Sequence, residues 1–271
     1  MEILHVIKIG GNVIDNPEYV NPFLNFFSEI KGPKILIHGG GKMATRLAEV
    51  MGVKQQMIDG RRITDEATLQ IVTMVYAGYI NKNIVAQLQS MSVNAMGLSG
   101  VDGNLVKAHK RNNCTVNSGS NTTIDYGFVG DIDLVNTAFL NQLLQVKIIP
   151  VIAPITHDGA GQLLNTNADT IAQSIATSLS KLYTTVLIYS FEKNGVLLDV
   201  NDDQSIIKTL DLAYFQSLKE QQLIFAGMIP KLENAFKAID NGVEKVIIGK
   251  AENLQDLING NSGTTIIHGK G

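Results

Sequence analysis

An α/β protein built on a mostly parallel sheet is the fold that this sequence predicts, and three observations predict it. A short apolar, β-branched run, Ile3 to Ile9, is followed by a glycine turn, Gly10-Gly11, and then by helical spacing from Tyr19 to Ile30. The same order returns at once in Lys34 to Ile37, His38-Gly39-Gly40-Gly41 and Met43 to Met51, which is the rhythm of parallel α/β architecture. The length of 271 residues, with 45% hydrophobic and 17% charged content, suffices for one large domain, or two lobes sharing one sheet, around a sizeable core.

The helix from Met43 carries apolar residues at Met43, Leu47, Val50 and Met51. Asp65 to Gln89 reads as one long helix begun by Thr64 or Asp65 as cap, with Leu69, Val72, Tyr76, Tyr79 and Ile80 on a single stripe. Such a length suggests burial against a partner. From Val93 to about Val129 the pattern changes to short apolar runs separated by Gly100, Asp102-Gly103, the polar stretch Asn112 to Thr123, and Gly127. This predicts a strand and hairpins that form a lid or rim. Val146 to Ile152 resumes as a buried strand and Ala168 to Ser180 as a helix. A strand at Thr185 to Tyr189, helices at Asp211 to Glu220 and Ile229 to Asn241, and strands at Val243 to Ile248 and Thr264 to His268 complete the chain. No internal repeat is visible. The expected boundary lies near residue 175, inside a shared sheet, with no Pro- or Ser-rich linker.

The formal net charge of −3, from 22 basic and 25 acidic side chains, offers no electrostatic footprint for nucleic acid or an anionic membrane. Any phosphate binding must be local. Cys114 is the only cysteine, so no intrachain disulfide forms and no metal-ligand spacing surrounds it; a reducing cytoplasm is the expected compartment. The N-terminus, with Glu2 and Lys8 around a few apolar residues, lacks signal-peptide character, and Val146 to Ile155 is broken by Lys147 and two prolines, which argues against a membrane span.

Three segments point to phosphate handling. In Lys8-Ile9-Gly10-Gly11, glycines let backbone N–H groups approach an anion while the lysine brings a point charge; the alternative is a strand-ending turn with a surface lysine. His38-Gly39-Gly40-Gly41 joins a strand to a helix start, where amides and the positive helix end favour a carboxylate or phosphate. Gly39 to Ala44 also satisfies the dinucleotide pattern G-x-G-x-x-A, with Asp59 near the place of a ribose-binding acid, but Val53 to Ile58 makes a poor core strand after it. A hydrolase oxyanion loop is excluded because no G-x-S-x-G elbow occurs in the chain. His38 reads as a structural histidine ending its strand. In Gly227-Met228-Ile229-Pro230-Lys231, a glycine turn leads into a helix whose first turn carries a lysine, a placement that opposes the macrodipole unless an anion lies nearby.

Asn165-Thr166-Asn167-Ala168-Asp169 contains a helix cap, Asn167, and a first-turn acid, Asp169, but capping leaves Asn165 unexplained. In Gly60-Arg61-Arg62-Ile63-Thr64 the arginines form either a solvated turn or a bidentate carboxylate clamp. Asp131 and Asp133 could ligate a metal, yet no His or further acid joins them, and the turn-capping reading stands beside that one.

Read together and in order, these segments resemble the amino acid kinase family over almost the whole chain, and within it the members that phosphorylate an N-acyl-L-glutamate. The arginine before Ile63-Thr64 and the asparagine-rich segment are the most specific parts. The resemblance implies a three-layer α/β/α sandwich around a central, mostly parallel sheet, with residues 1–175 as an acylglutamate-binding and dimerising lobe and 176–271 as an ATP-binding lobe. It implies that Lys8 and Lys231 flank the transferring phosphoryl group and that Asp169 orients both, while Gly40, Gly41, Arg62 and Asn165 hold the N-acylglutamate. Gly10, Gly11, Gly195, Val196, Leu197 and Gly227 would contact the nucleotide. The implied cofactor is ATP with Mg2+ held mainly through the phosphates, with no protein metal site. The product would be an acyl phosphate in arginine and ornithine biosynthesis, with acetyl as the default acyl group and succinyl as the alternative.

Two departures stand out. The family's loop after the Thr185 to Tyr189 strand usually reads Thr/Ser-Asp-Val-x-Gly, whereas here it is Ser190-Phe191-Glu192-Lys193-Asn194-Gly195-Val196-Leu197, one residue longer and without that aspartate. The first strand starts immediately, without the helical extension of arginine-inhibited hexameric members, so a homodimer built on the 65 to 89 helix, without arginine feedback, is expected. The rival readings are a non-catalytic nucleotide-binding member of the same fold, against which Lys8, Asp169 and Lys231 argue, and an NAD-dependent oxidoreductase using Gly39 to Ala44.

Overall fold

The computed structural model describes residues 1–58, 61–112, 114–117, 121–199, 201–224 and 228–268. Strand β1 (Ile3–Ile9) passes through a short helix α1 (Gly11–Ile14) into α2 (Pro17–Glu29), whose start is set by Asn16: its side chain accepts the Glu18 N–H at 2.9 Å, and Pro17 occupies the first helical position. The unit repeats in β2 (Lys34–His38) and α3 (Gly41–Val50). A small hairpin, β3 (Met57–Ile58) and β4 (Arg61–Arg62), precedes a helical rod made of α4 (Glu66–Thr73), a π-helical stretch (Met74–Ile80) and α5 (Asn81–Ser90).

Then come β5 (Ala95–Ser99), β6 (Val106–Lys110), β7 (Cys114–Asn117), β8 (Asn121–Ile124), β9 (Gly130–Val135), α6 (Thr137–Gln145), β10 (Ile149–Ala153), β11 (Ile155–His157) and β12 (Leu163–Asn165). The chain continues through α7 (Ala168–Leu179), β13 (Thr184–Phe191), β14 (Thr209–Leu210), α8 (Leu212–Glu220), α9 (Ile229–Asp240), β15 (Lys245–Lys250), α10 (Leu254–Asn259) and β16 (Thr264–Ile266).

Among the described residues, eight strands form the central sheet in the order β14-β16-β15-β13-β1-β2-β10-β5, parallel throughout except for the antiparallel β15–β16 pair. Helices α6 to α9 cover one face, and α2, the helical rod and α10 cover the other, each over its own apolar cluster. From β1 the chain builds outward through β2, β10 and β5 on one side, then through β13 and β15 on the other. The carboxyl ends of β1 and β13 therefore flank a topological switch point, where open α/β sheets bind ligands.

The period of two along β1 decides where Lys8 points. Leu4 and Val6 pack into the α7–α9 side, and Ile7 and Ile9 into the opposite cluster. Lys8 shares the parity of Leu4 and Val6, which brings it under α7.

The segment from Asp65 is a continuous helical rod but not a uniform α-helix. Asp65 caps it, accepting the Thr68 N–H at 2.8 Å, and the π-helical stretch, with its i→i+5 bonding, puts more residues into each turn midway. Tyr79, expected on the buried stripe, is consequently 61% exposed, while Val75, Tyr76, Ile80 and Ile84 carry the buried face. The expected lid also divides. β5 joins the central sheet as its edge strand, whereas β6 and β9 combine with β11 and β12 in a second, four-stranded sheet, and β7 and β8 form a separate hairpin. Part of the polar stretch from Asn112 to Thr123 lies outside the described residues. Asp131 and Asp133 are structural: Arg111 Nε donates to Asp131 Oδ2 at 3.1 Å, and Asp133 pairs with His109 at 2.6 Å.

His38, at the end of β2, is fully buried. Its Nδ1–H donates to Gly39 O at 2.9 Å, and its Nε2 accepts from Asn81 Nδ2 at 3.1 Å; Asn81 also donates to Val151 O at 2.9 Å. The ring thus ties β2 to the helical rod and to β10, as a structural histidine. Burial lowers its pKa from 6.5 to about 4, and burial with the Lys245 and Lys34 charges does the same for His5. Because the folded values lie below the unfolded ones, the unfolded chain binds the extra protons between about pH 6.5 and 4. Stability is full above pH 6.5 and falls as pH drops, by up to about 3 kcal/mol per histidine. Urea midpoints from pH 7 to 4.5 should show this slope in the wild type and lose it in the His5→Gln/His38→Gln double variant.

Candidate active site

At the switch point, three charged side chains from distant parts of the chain meet. Asp169 Oδ1 is 2.7 Å from Lys8 Nζ, and Lys231 Nζ donates to Asp169 Oδ2. The Asn167 side chain fixes the start of α7 by accepting the N–H groups of Asp169 at 2.8 Å and Thr170 at 3.1 Å. Buried Tyr189 on β13 donates its hydroxyl to the Asp169 carbonyl at 3.2 Å, bracing the same turn.

Burial by itself would raise the Asp169 carboxyl pKa. The two ammonium groups overcome it and hold the carboxyl well below the usual carboxylate range. Lys8 moves down from its ordinary value, by burial first and then by repulsion from Lys231, while Asp169 opposes the shift. Two cations against one anion leave a local positive excess, suited to an anionic ligand.

Two glycine turns form the floor beside this group. A Cβ on Gly11 would come within 3.4 Å of the Gly41 amide nitrogen and 3.5 Å of that of Gly40, so the turns approach backbone to backbone. Gly40 has φ +152°, and a Cβ there would meet Ile80 Cδ1 at 2.2 Å; no larger residue fits. The N-terminus of α3 opens from this floor, so its first amides face the cleft.

Arg62 lines the cleft beside Gly41. It is buried, its Nη2 donates to Gly41 O at 3.0 Å and to Thr45 Oγ1 at 2.9 Å, and its Nη1 donates to Gln55. The solvated-turn reading of this arginine is thereby replaced by a held guanidinium at the cleft wall. Asn165, on β12, donates to Thr64 Oγ1 at 3.0 Å and borders the same space.

The resulting cleft has a volume of about 820 Å³. It brings together Lys8, Gly10, Gly11, Gly40, Gly41, Arg62, Asn165, Asp169 and Lys231. Gly195, Val196 and Leu197 do not line it. Val196 is buried with both backbone groups engaged, its N–H by Thr264 Oγ1 at 2.8 Å and its carbonyl by the Ile207 N–H at 2.9 Å. Gly60 and Gly227 lie outside the described residues. Sequence reasoning missed Asn12, Thr45, Phe191 and Glu192 as lining residues. Asn12 directly follows the first glycine pair, and Thr45 lies one helical turn beyond Gly41, so spacing could have flagged both. Glu192 could have been found from the atypical loop.

No group of three or more His, Cys, Asp or Glu among the described residues is placed to hold a metal ion. No helix among the described residues is long and apolar enough to cross a membrane.

The model of the "Amino acid kinase family" matches residues 4–250. Acetylglutamate kinase of Cytophaga hutchinsonii is 51% identical over 269 residues, covering 98% of this chain and 99% of that protein. Acetylglutamate kinase of Parabacteroides distasonis is 50% identical over 254 residues, covering 94% and 96%. Among solved structures, N-acetylglutamate synthase from Neisseria gonorrhoeae, complexed with coenzyme A and N-acetyl-glutamate, superposes with a TM-score of 0.80 at 25% identity; the match takes in 100% of this chain and 60% of that one. Carbamate kinase from Giardia lamblia bound to AMP-PNP gives 0.68 at 13% identity, covering 99% of both chains, a likeness of fold alone.

The Asp169 cluster has a direct energetic consequence. Asp169→Asn removes the only negative charge of the trio and leaves two lysines facing each other with little water, so it should lower the unfolding free energy by about 3–5 kcal/mol, read from urea denaturation. An unchanged midpoint would show that the cluster is solvated and weak.

Proposed function

This chain belongs to the amino acid kinase family, and we propose that it transfers the γ-phosphoryl group of ATP to the γ-carboxylate of N-acetyl-L-glutamate, in arginine and ornithine biosynthesis. The observation that carries this reading is the Lys8–Asp169–Lys231 cluster in a cleft that two glycine turns and a held Arg62 also line. The near-full-length identity to acetylglutamate kinases supports the choice of acceptor.

The attacking carboxylate is ionised at neutral pH, so the reaction needs no general base. Arg62 pairs with the substrate α-carboxylate, and Asn165 and the Gly40 and Gly41 amides position the remainder, aiming the γ-carboxylate along the N-terminus of α3. One carboxylate oxygen forms the new O–P bond while the bond from the γ-phosphorus to the β–γ bridging oxygen breaks; the electron pair leaves with ADP, and an acyl phosphate results. Lys8 neutralises charge on the transferring group and Lys231 on the leaving side, while Asp169 keeps both ammonium groups in place. Gly10 and Gly11 let the triphosphate approach the backbone closely. Mg2+ would be held mainly through the nucleotide phosphates, since the cleft carboxylates Asp169 and Glu192 belong to no metal-holding group of three or more His, Cys, Asp or Glu among the described residues and Mg2+ needs few protein oxygens. When bound, it offsets negative charge on the β- and γ-phosphates.

In this reading residues 1–175 bind the acylglutamate and 176–271 bind ATP, in the cytoplasm. A homodimer forms through the helical rod, a pairing supported by the exposure of Met74 (50%) and Tyr79 (61%) on it.

Acyl-phosphate formation, trapped as the hydroxamate, tests the activity. With ATP, Mg2+ and N-acetyl-L-glutamate the wild type should turn over, and Lys8→Ala and Lys231→Ala should each lose roughly 10²–10³ in kcat, about 3–4 kcal/mol. N-succinyl-L-glutamate in the same assay should be the poorer substrate; silence with both acyl-glutamates would overturn the reading. Light scattering should give a dimer mass, and Met74→Lys/Tyr79→Glu should shift it toward the monomer.

A further inference from the structure

Glu192 is an exposed acidic side chain on the wall of the cleft that Lys8, Gly10 and Gly11 also line. Its Oε1 accepts a hydrogen bond from Asn12 Nδ2 at 2.7 Å, tying the end of β13 to the residue that follows the first glycine pair. Its negative charge lies near enough to Lys8 to favour the ammonium form there. Asp169, by contrast, is already engaged by two lysines.

Glu49 and Asp169 line the same cleft, but Asp169 is offset by its lysines, and of the three only Glu192 is tied to Asn12 beside the Gly10-Gly11 turn. A carboxylate on the wall of a cleft that takes a triphosphate is unfavourable, because like charges at such range repel. A divalent cation between the two inverts that sign. Mg2+ requires oxygen donors, keeps several waters, and is commonly held by one or two carboxylates together with substrate phosphates. We propose that Glu192, held in place by Asn12, is the carboxylate that receives the divalent cation carried by ATP. This inference rests on the kinase reading above. A different role, accepting a hydrogen bond from a ribose hydroxyl as acids at strand ends do, is disfavoured because Glu192 is tied to Asn12, next to the Gly10-Gly11 turn, and lines the cleft together with Lys8.

Binding without turnover separates the possibilities. Calorimetric titration of AMP-PNP into the full chain, at constant ionic strength, is run with Mg2+ and with EDTA for the wild type, Glu192→Gln and Asn12→Ala. In the wild type Mg2+ should strengthen AMP-PNP binding. In Glu192→Gln that strengthening should shrink by about 10–100-fold, the range seen when a carboxylate supporting a metal is lost. Metal-free AMP-PNP should bind Glu192→Gln as well as the wild type or better, because a repelling charge has gone. Asn12→Ala should show a smaller loss of the same kind. Electron paramagnetic resonance of Mn2+ with AMP-PNP should give weaker Mn2+ retention in Glu192→Gln.

Equal weakening with and without Mg2+ would assign Glu192 to the ribose and overturn the proposal, as would no change in either condition. A wild type that fails to bind AMP-PNP under both conditions would overturn the kinase reading itself, and this proposal with it. Glu192 is exposed and its variant should fold, which the circular dichroism melting curve checks.

Discussion

The ion cluster of Lys8, Asp169 and Lys231 is the constraint on which the rest of the site depends. Lys8 and Asp169 are largely withdrawn from water and Lys231 is part-buried, and a buried charge is costly unless a partner compensates it. The cluster therefore requires that β1, the start of α7 and the first turn of α9 arrive together, although they come from opposite parts of the chain. Asn167 and Tyr189 serve that requirement by holding the α7 turn from both sides. The result is a preorganised positive region, with its lysines oriented before any ligand arrives, and preorganised charge is what phosphoryl transfer uses.

The sheet supplies the turns that surround this cluster. Because β1 sits between β2 and β13, its carboxyl end is flanked by the His38–Gly41 turn on one side and by Ser190–Glu192 on the other. Burial keeps the His38 ring neutral near pH 7, and that ring ties β2 to Asn81, while Asn81 ties the helical rod to β10. The rod in turn presses Ile80 and Tyr76 against Gly40, so the conformation of the glycine turn is set by packing from a helix nearly forty residues downstream. The shape of the cleft floor and the packing of the fold are coupled at this point, through the absence of a side chain.

Most central strands and long helices were legible in the sequence because their signals are local: apolar runs for β1, β2 and β13, helical spacing for α2 and α7. The elements that were missed or misread depend on distant partners. β9, β11 and β12 are short and acquire their identity from a second sheet whose strands come from separated segments. Tyr79 followed the expected spacing but was carried outward by a π-helical stretch that no local propensity announces. Within the site, the glycine turns, both lysines and Asp169 could be picked out from residue type and position. Asn12, Thr45 and Glu192 had only weak signals in position, which the assembled cleft made meaningful, and Val196 is engaged by backbone and side-chain partners that only the folded chain brings to it.

By itself the sequence determined the α/β class, the order of the chemistry-bearing segments and the family resemblance, since periodicity, turn residues and motif order are properties of the chain read in line. Tertiary structure alone decided that Lys8 points toward α7, that one carboxylate serves two lysines 223 positions apart in the chain, and that Arg62 is held at the cleft wall by Gly41, Thr45 and Gln55. The physical reason is that charge pairing, burial and hydrogen-bond geometry are properties of proximity in space, and proximity between residues this far apart exists only once the sheet has brought its strands into register.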